Sequence, residues 1–325
     1  MINIFNEAIE AEGRIRKYIR ETPLEHSPYL SRIGQGSAFL KLENTQITGS
    51  FKLRGALNKL LSLSPDEKKQ GIITASSGNH GMAVAYGLKT FNIRGRIFLP
   101  ANASPTKIKA LQDYGAQIEL FGDDCVKAEI HAREEAEREG VIYISPYNDP
   151  QIIGGQATVA LEITHQLKDI HSVLIPVGGG GLIAGIAGYL KALNKNVNII
   201  GCQPENSAVM FESLKAGKII EMESKPTISE GSAGGIEKGT VTFNFCRDYV
   251  DDFILVSEEE IKEAIRIVFE KHFMIIEGAA ALSVASFLKG KERFKDKNTV
   301  LIISGAKLST DALKSVFCEG REKHS

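Results

Sequence analysis

The sequence predicts an α/β protein with two doubly wound domains, and three observations support this prediction. Apolar runs of strand length alternate with helical segments along most of the chain, a pattern typical of parallel sheets. The chain has 325 residues, which is too long for one small core and suits two domains. Polar or glycine-containing turns directly follow several strands, and doubly wound folds place their ligand groups at this end of the sheet.

The composition is that of an ordinary globular protein and excludes several functions. Hydrophobic residues make up 43% of the chain, charged residues make up 24%, and the net charge is −1. The sequence has no Trp and no Lys/Arg block, so we expect no nucleic-acid partner. It shows neither a signal-peptide core nor an apolar run of membrane-spanning length, so we expect no membrane partner.

The cysteines indicate a reducing compartment. Cys125, Cys202, Cys246 and Cys318 are far apart and form no CxxC pair. This spacing argues against both a disulfide framework and a zinc site. We therefore expect a cytoplasmic protein.

Apolar periodicity and turn residues assign the elements in chain order. An amphipathic helix is predicted from Phe5 to Ile19, with Ile9, Ile15 and Ile19 facing the core. A strand end at 39–42 follows, and the next helix contains Lys52. Further strands are predicted at 71–75, 96–100, 117–121, 141–145, 172–177, 198–202 and 300–303, with helices between them.

These elements divide into two predicted domains. Residues 71–148 form a compact series of αβ units, which we expect to be a small inserted domain. Residues 1–70 and 149–325 then form a large domain on either side of the insertion.

Lys52 is a candidate nucleophile because of its place at a helix start. Ser50 is the expected N-cap, which puts Lys52 in the first helical turn. A helix N-terminus disfavours an ammonium, so this lysine tends toward the neutral amine that forms a Schiff base. The alternative is an ordinary surface lysine at a helix start, and local physics alone favours that alternative.

A polar turn, Ser76-Ser77-Gly78-Asn79-His80-Gly81, directly follows the predicted strand at 71–75. The position suits ligand binding at the carboxyl end of a strand, although a tight turn also requires Gly and Asn for its backbone. Asn79 is the best polar candidate, since an amide can donate to a phenolate oxygen. His80 is expected to be packed within the turn rather than catalytic.

Four consecutive glycines, Gly178-Gly179-Gly180-Gly181, separate a buried strand from a helix that begins near Leu182. Their backbone N–H groups can converge on an anion, so the segment predicts a phosphate site. A Rossmann pattern also fits, because Ala184 completes G-x-G-x-x-A. However, the next strand ends in Gln203, where a nicotinamide enzyme requires an acidic residue for the ribose.

Three segments, taken together, resemble the fold-type II pyridoxal-phosphate enzymes. They are residues 43–56 (with Thr48-Gly49-Ser50-Phe51-Lys52), residues 76–81 and residues 178–181. The chain most resembles the serine/threonine dehydratase and serine racemase branch, from about Thr22 to about Ser304. The resemblance implies a fold like tryptophan synthase β, an active site in the cleft between the domains, pyridoxal 5′-phosphate as cofactor, and a homodimer.

The resemblance also implies roles for individual residues. Lys52 would form the Schiff base with the cofactor, and Ser304 would face its ring nitrogen. Ser77 would be a second acid/base in a racemase. The implied cofactor-binding residues are Phe51, Lys52, Asn79, Gly178, Gly179, Gly180, Gly181, Leu182, Gly231 and Ser304. The implied substrate-binding residues are Ser76, Ser77, Gly78, Asn79 and His80.

The chain departs from the family pattern at two places. Some relatives place a carboxylate pair for a divalent cation where this chain has Gln203 and Val209, so no metal site is expected. Ser304-Gly305 is followed by Ala306-Lys307 in place of the common Gly-Asn, and Glu277 could either approach the site or make a structural hydrogen bond.

The first hypothesis is therefore a dehydratase, or ammonia-lyase. It would convert a β-hydroxy amino acid, L-threonine or L-serine before others, to a 2-oxo acid and ammonia by α-proton abstraction and β-elimination. The second hypothesis is a serine racemase-type isomerase, which Ser77 permits without requiring it. Other fold-type II β-eliminating or β-replacing enzymes, a nicotinamide-dependent oxidoreductase and an inactive phosphate-binding protein are the remaining alternatives.

Overall fold

The protein is described here by a computed structural model that covers residues 2–123 and 125–318. The strands are β1 Leu24–His26, β2 Ser37–Lys41, β3 Ile72–Ala75, β4 Gly95–Leu99, β5 Gln117–Leu120, β6 Ile142–Tyr143, β7 Ser172–Pro176, β8 Asn198–Pro204, β9 Asp252–Val256 and β10 Asn298–Ile302. The helices are α1 Ile4–Ile15, α2 Pro28–Gly34, α3 Lys52–Ser62, α4 Pro65–Gln70, α5 Asn79–Phe91, α6 Pro105–Asp113, α7 Cys125–Glu139, α8 Pro150–Gln166, α9 Gly181–Leu193, α10 Val209–Lys215, α11 Val241–Tyr249, α12 Glu258–His272, α13 Gly278–Lys289 and α14 Thr310–Phe317.

Within these residues, six strands form a large sheet in the order β1-β2-β10-β7-β8-β9. Only the β1–β2 pair in this sheet is antiparallel. Apolar helices cover both faces: α8 and α9 contribute to one buried cluster, and α12 and α13 contribute to the other. Because β7 is buried along its whole length, it reads as a continuous apolar run rather than an alternating one.

A second sheet of four parallel strands has the order β5-β4-β3-β6 and lies between residues 72 and 143. Ala132 and Ala136 of α7 pack on one face of it. Ala85 of α5 and Leu111 of α6 pack on the other. Helices on both faces of two parallel sheets make the fold doubly wound, so the predicted fold class is confirmed.

Helix α3 packs between helices next to the large sheet and a helix of the small sheet. Its Leu53, Leu57 and Leu60 share a buried cluster with residues of α1, α5 and α8. Since Lys52 is the first residue of α3, this packing places it near the carboxyl ends of strands from both sheets.

Three local predictions are wrong. The helix predicted from Phe5 to Ile19 ends at Ile15, where the chain tightens into a 3-10 turn. Ile9 is 50% exposed, because the buried face of α1 runs through Ala8 and Ala11 instead. Ser50 is not the N-cap of α3, a position held by Phe51. The backbone of Ser50 instead forms a β-bridge with Gly305, which holds it in an extended segment outside the helix.

A buried charge network links α3 to the rest of the fold. The guanidinium of Arg54 makes two hydrogen bonds of 2.8 Å to Glu43 and two of 2.8 Å to Glu162. Glu162 also accepts from Lys41 at 2.6 Å, and the side chains of all four residues are at most 3% exposed. Burial alone would raise the pKa of Glu162, but Arg54 and Lys41 outweigh it and lower that pKa to about 2.

No helix among the described residues is long and apolar enough to cross a membrane.

Neutralising Glu162 should strongly destabilise the fold. We expect Glu162→Gln to lower the free energy of unfolding by about 3–5 kcal/mol, because Arg54 and Lys41 then keep buried charges without their shared partner. Glu221→Gln is the matched control, since the Lys238–Glu221 pair is more than four-fifths exposed. Its effect should stay within about 1 kcal/mol. Urea unfolding measures both variants, and equal losses would contradict the assigned role of the network.

The same network predicts an acid dependence. The pKa of Glu162 in the folded protein is about 2, below its ordinary value of 4.5. Its contribution to stability is therefore complete above about pH 4.5 and is lost as the pH falls through about 2. The acid loss of stability measured by urea unfolding should be smaller in Glu162→Gln than in the wild type.

Candidate active site

The candidate site begins at Lys52. Its amine donates a hydrogen bond of 2.9 Å to the carbonyl of Pro146 and lies 5.2 Å from the ring centre of Phe51. Burial lowers the pKa of Lys52 to about 8, against the attraction of Glu277 and Glu129. The largest cause of this low pKa is burial, and not the helix N-terminus that the sequence suggests. With this pKa an appreciable fraction of the amine is neutral near physiological pH.

The end of β10 is joined directly to the turn that carries Lys52. The backbone N–H of Phe51 donates to the carbonyl of Ser304 at 3.1 Å, and that of Ala306 donates to the carbonyl of Gly49 at 2.9 Å. Ser304 is 2% exposed. These bonds fix the Ser304 hydroxyl beside the start of α3.

The polar turn (residues 76–81) follows β3 and leads into α5. The hydroxyl of Ser76 accepts from the N–H of Gly78 at 3.2 Å. The amide nitrogen of Asn79 donates to Glu277 at 2.7 Å, and the amide oxygen of Asn79 is buried without a partner among the described residues. Ser77 lies in this turn and is partly buried. The turn thus presents one unpaired buried acceptor and one further amide N–H.

The ring of His80 faces the small sheet. Its Nε2 lies 3.1 Å from the hydroxyl of Thr74 and 3.2 Å from the carbonyl of Ile144. Burial, together with the nearby charge of Lys52, lowers the pKa of His80 to about 3. The imidazole is therefore neutral near pH 7, which agrees with a packed residue in the turn.

The glycine loop (residues 178–181) lies between β7 and α9. In the described part of the chain, the N–H groups of these four glycines donate to no acceptor. A Cβ on Gly179 would lie 2.3 Å from the ring of Tyr147, and one on Gly178 would lie 3.0 Å from Ser232. The Leu182 side chain packs in the core, so only its backbone could contribute to binding. The loop is therefore a cradle of free N–H donors that requires glycine.

Two residues that support the glycine loop carried little signal in the sequence. The hydroxyl of Thr242 donates to the carbonyl of Gly179 at 2.7 Å. The hydroxyl of Tyr147 accepts from the N–H of Glu237 at 2.9 Å. No motif pointed to Thr242, because a single threonine at a helix start is common.

Glu277 lies among several predicted cofactor residues. Its carboxylate accepts from Asn79 at 2.7 Å and from the Ser304 hydroxyl at 3.4 Å. A Cβ on Gly231 would lie 3.6 Å from the same carboxylate. Burial raises the pKa of Glu277, although Asn79, Lys307 and Ser304 favour its charged form. The sequence left the role of Glu277 open, and the structure brings it to the site.

Gln203 and Val209, which stand where some relatives have a carboxylate pair, have structural roles. Gln203 donates to the carbonyl of Val177 at 3.2 Å and accepts from the N–H of Phe211 at 2.9 Å. Val209 is 1% exposed. Among the described residues, no group of three His, Cys, Asp or Glu side chains is placed to hold a metal.

The site fits the functional groups of pyridoxal phosphate. An amine of low pKa suits the aldehyde, and the second amide N–H of Asn79 suits the phenolic oxygen. The Ser304 hydroxyl suits a ring nitrogen, and the unpaired N–H groups of the glycine loop suit the phosphate.

Comparisons with known proteins agree with this fit. The family described as "Pyridoxal-phosphate dependent enzyme" matches residues 15–305. The L-threonine ammonia-lyase of Thermotoga maritima is 39% identical over 315 residues, which span 97% of this chain and 78% of that protein. The processed form of threonine deaminase isoform 2 from Solanum lycopersicum has a TM-score of 0.91 and 34% identity, over 98% of this chain and 96% of that one.

A further solved structure, maize serine racemase, has a TM-score of 0.90 and 31% identity over 98% of both chains. These similarities cover nearly the whole chain, so the resemblance to fold-type II enzymes is confirmed and a nicotinamide cofactor has no support. The chain belongs to the pyridoxal-phosphate-dependent enzymes, and its cofactor is pyridoxal 5′-phosphate.

Proposed function

We propose that the protein is a pyridoxal-phosphate-dependent ammonia-lyase that converts a β-hydroxy amino acid, L-threonine or L-serine, to a 2-oxo acid and ammonia. The observation that carries this proposal is a partly buried lysine amine at the first residue of α3, together with a glycine loop whose N–H groups donate to no acceptor among the described residues. The names of two relatives, an L-threonine ammonia-lyase and a threonine deaminase, support the choice of reaction.

The contacts of the site support the following residue roles. Lys52 would bind the cofactor covalently, and the glycine loop with the N–H of Leu182 would bind its phosphate. Asn79 and Ser304 would hold the phenolic oxygen and the ring nitrogen, while Phe51 and Gly231 would border the cofactor. The N–H groups of the polar turn bind the substrate carboxylate, and His80 contributes its backbone because its ring is engaged with Thr74 and Ile144.

The proposed chemistry places proton transfer on Lys52. Bound pyridoxal phosphate supplies an electron sink that makes the substrate Cα–H acidic. The amine of Lys52, once released, accepts this proton, and its pKa of about 8 suits a base near neutral pH. The polar turn orients the substrate carboxylate. The β-hydroxyl then leaves as water by taking up the proton that Lys52 accepted from Cα, and one water hydrolyses the unsaturated amine to the 2-oxo acid and ammonia.

Ser304 favours elimination over transamination. A hydroxyl is too weak an acid to protonate a pyridine nitrogen as an aspartate does. A ring that is not protonated stores negative charge poorly, so prompt loss of a β-substituent suits this site better than transfer of an amino group.

The same proposal covers organisation and location. We assign residues 71–148 to a small domain and residues 1–70 and 149–325 to a large one, with the site in the cleft between them. The small four-stranded sheet lies within the first range.

The side chains of Cys202, Cys246 and Cys318 are free thiols, which supports a cytoplasmic location. A homodimer is the expected assembly.

A racemase of the serine type is the second candidate. Ser77 permits it, because this hydroxyl lies in the polar turn two residues from Asn79 and is partly buried. There it could protonate Cα from the face opposite Lys52. The similarity to maize serine racemase adds to this alternative.

Replacing Lys52 should abolish both cofactor attachment and turnover. We expect Lys52→Ala to lack the visible absorption band of the lysine-bound cofactor and to release no ammonia, because the substitution removes the amine that forms the linkage. Lys69→Ala is the control, since the Lys69 side chain is 78% exposed. An unchanged band in Lys52→Ala would contradict the assignment.

An added methyl group in the glycine loop should weaken cofactor binding. In Gly179→Ala the new Cβ would lie 2.3 Å from the Tyr147 ring, so the loop must move and its N–H groups lose their alignment. We expect the dissociation constant for pyridoxal phosphate to rise about tenfold or more. Gly235→Ala is the matched control, because nothing lies within 4 Å of its Cβ. Equal affinity in both variants, measured by fluorescence titration, would exclude this phosphate site.

A substrate panel separates the two candidate reactions. We expect L-threonine or L-serine to yield ammonia and the corresponding 2-oxo acid, measured by coupled assay. No 2-oxo acid from any β-hydroxy amino acid would exclude the ammonia-lyase. Formation of D-serine on chiral chromatography, abolished selectively by Ser77→Ala, would instead identify a racemase.

A further inference from the structure

A buried carboxyl group connects the two sheets at the site. Glu277 precedes α13 and is 7% exposed. It binds Asn79, which follows β3 of the small sheet, at 2.7 Å. It also binds Ser304, which follows β10 of the large sheet, at 3.4 Å. One carboxylate therefore holds the two side chains that are expected to contact the phenolic oxygen and the ring nitrogen of the cofactor.

Gly305 allows the carboxylate of Glu277 to lie close to the segment that follows β10. A Cβ on Gly305 would lie 2.5 Å from Oε1 and 2.7 Å from Oε2 of Glu277. The N–H of Glu277 donates to the carbonyl of Gly305 at 3.1 Å, which fixes the two segments to each other. The position of Glu277 is thus determined by backbone contacts and not by a flexible side chain alone.

The charges around Glu277 are mostly positive. Lys52 of α3 and Lys307, which follows β10, both attract it. The backbone of Lys307 also favours the charged form of Glu277 and so lowers its pKa. An ionised Glu277 is consequently supported by two ammonium groups and by donors from two sheets.

Two further groups act at the edges of this cluster. Glu129 of α7 raises the pKa of Lys52, as Glu277 does. Lys107 of α6 repels Lys307 and pairs with Glu230 at 3.3 Å. Glu230 is 65% exposed on its side chain, so its charge is largely screened by solvent.

We propose that Glu277 is a positioning residue for the cofactor, whose carboxylate orients Asn79 and Ser304 and stabilises a positive charge on the nitrogen of Lys52. This inference rests on the proposed function. The carboxylate contacts the Ser304 hydroxyl at 3.4 Å, a length that holds this side chain in place and leaves the hydroxyl able to donate to an unprotonated ring nitrogen. It occupies one N–H of Asn79 and leaves the second N–H for the phenolic oxygen.

The test is a pH titration of the visible absorption of the cofactor-loaded protein. The band of the protonated lysine–cofactor linkage should be lost at a pH lower by about one unit in Glu277→Gln, because the stabilising charge is gone. Glu277→Asp keeps the charge, so its midpoint should remain near that of the wild type. Glu230→Gln removes a screened charge and should also leave the midpoint unchanged.

Each outcome decides the proposal. An unchanged midpoint in Glu277→Gln overturns it, and so does a fall in Glu277→Asp as large as that in Glu277→Gln. If Glu277→Gln is unfolded by circular dichroism, Glu277→Asp decides alone, and a midpoint lower by a full unit overturns the proposal. A wild-type protein that develops no band with pyridoxal phosphate would instead refute the proposed attachment at Lys52, which is a separate failure.

Discussion

A buried charge network holds the segment that carries the reactive lysine. Arg54 lies two residues after Lys52 and is clamped between Glu43, which follows β2, and Glu162 of α8. Because these charges are removed from water, each is tolerated only while its partners are in place. The first turn of α3 is therefore fixed to two other elements. This also fixes the backbone of Lys52, which is the first residue of that turn.

A second constraint fixes the opposite side of the site. Backbone hydrogen bonds join the end of β10 to the turn before α3, so Ser304 and Lys52 cannot move independently. Glu277 adds a link from this end of the large sheet to Asn79 of the small one. Preorganisation of this kind is what proton transfer at a single carbon requires, since small displacements of the base cost large factors in rate.

The electrostatics of the site result from two opposing effects on Lys52. Burial lowers the pKa of its amine to about 8, and the carboxylates of Glu277 and Glu129 limit that decrease. A more apolar site would make the amine more easily neutral but would stabilise a protonated linkage less well. The observed balance suits a residue that must be both a nucleophile and a base.

The sequence predicts the doubly wound fold well, because parallel strands buried on both faces leave long apolar runs followed by marked turns. It also finds the glycine loop and Lys52, whose local patterns are unusual. It misassigns Ser50, since the bridge to Gly305 depends on a segment some 250 residues away. It leaves Glu277 undecided and does not find Thr242, because an isolated polar residue has no periodic signature and acquires its role only from tertiary contacts.

The most direct test of this account is to reduce the cofactor-loaded protein with borohydride and map the modified peptide. The account predicts that the pyridoxyl group is attached to Lys52 alone. Modification of another lysine, such as Lys307 or Lys59, with Lys52 unmodified would contradict it.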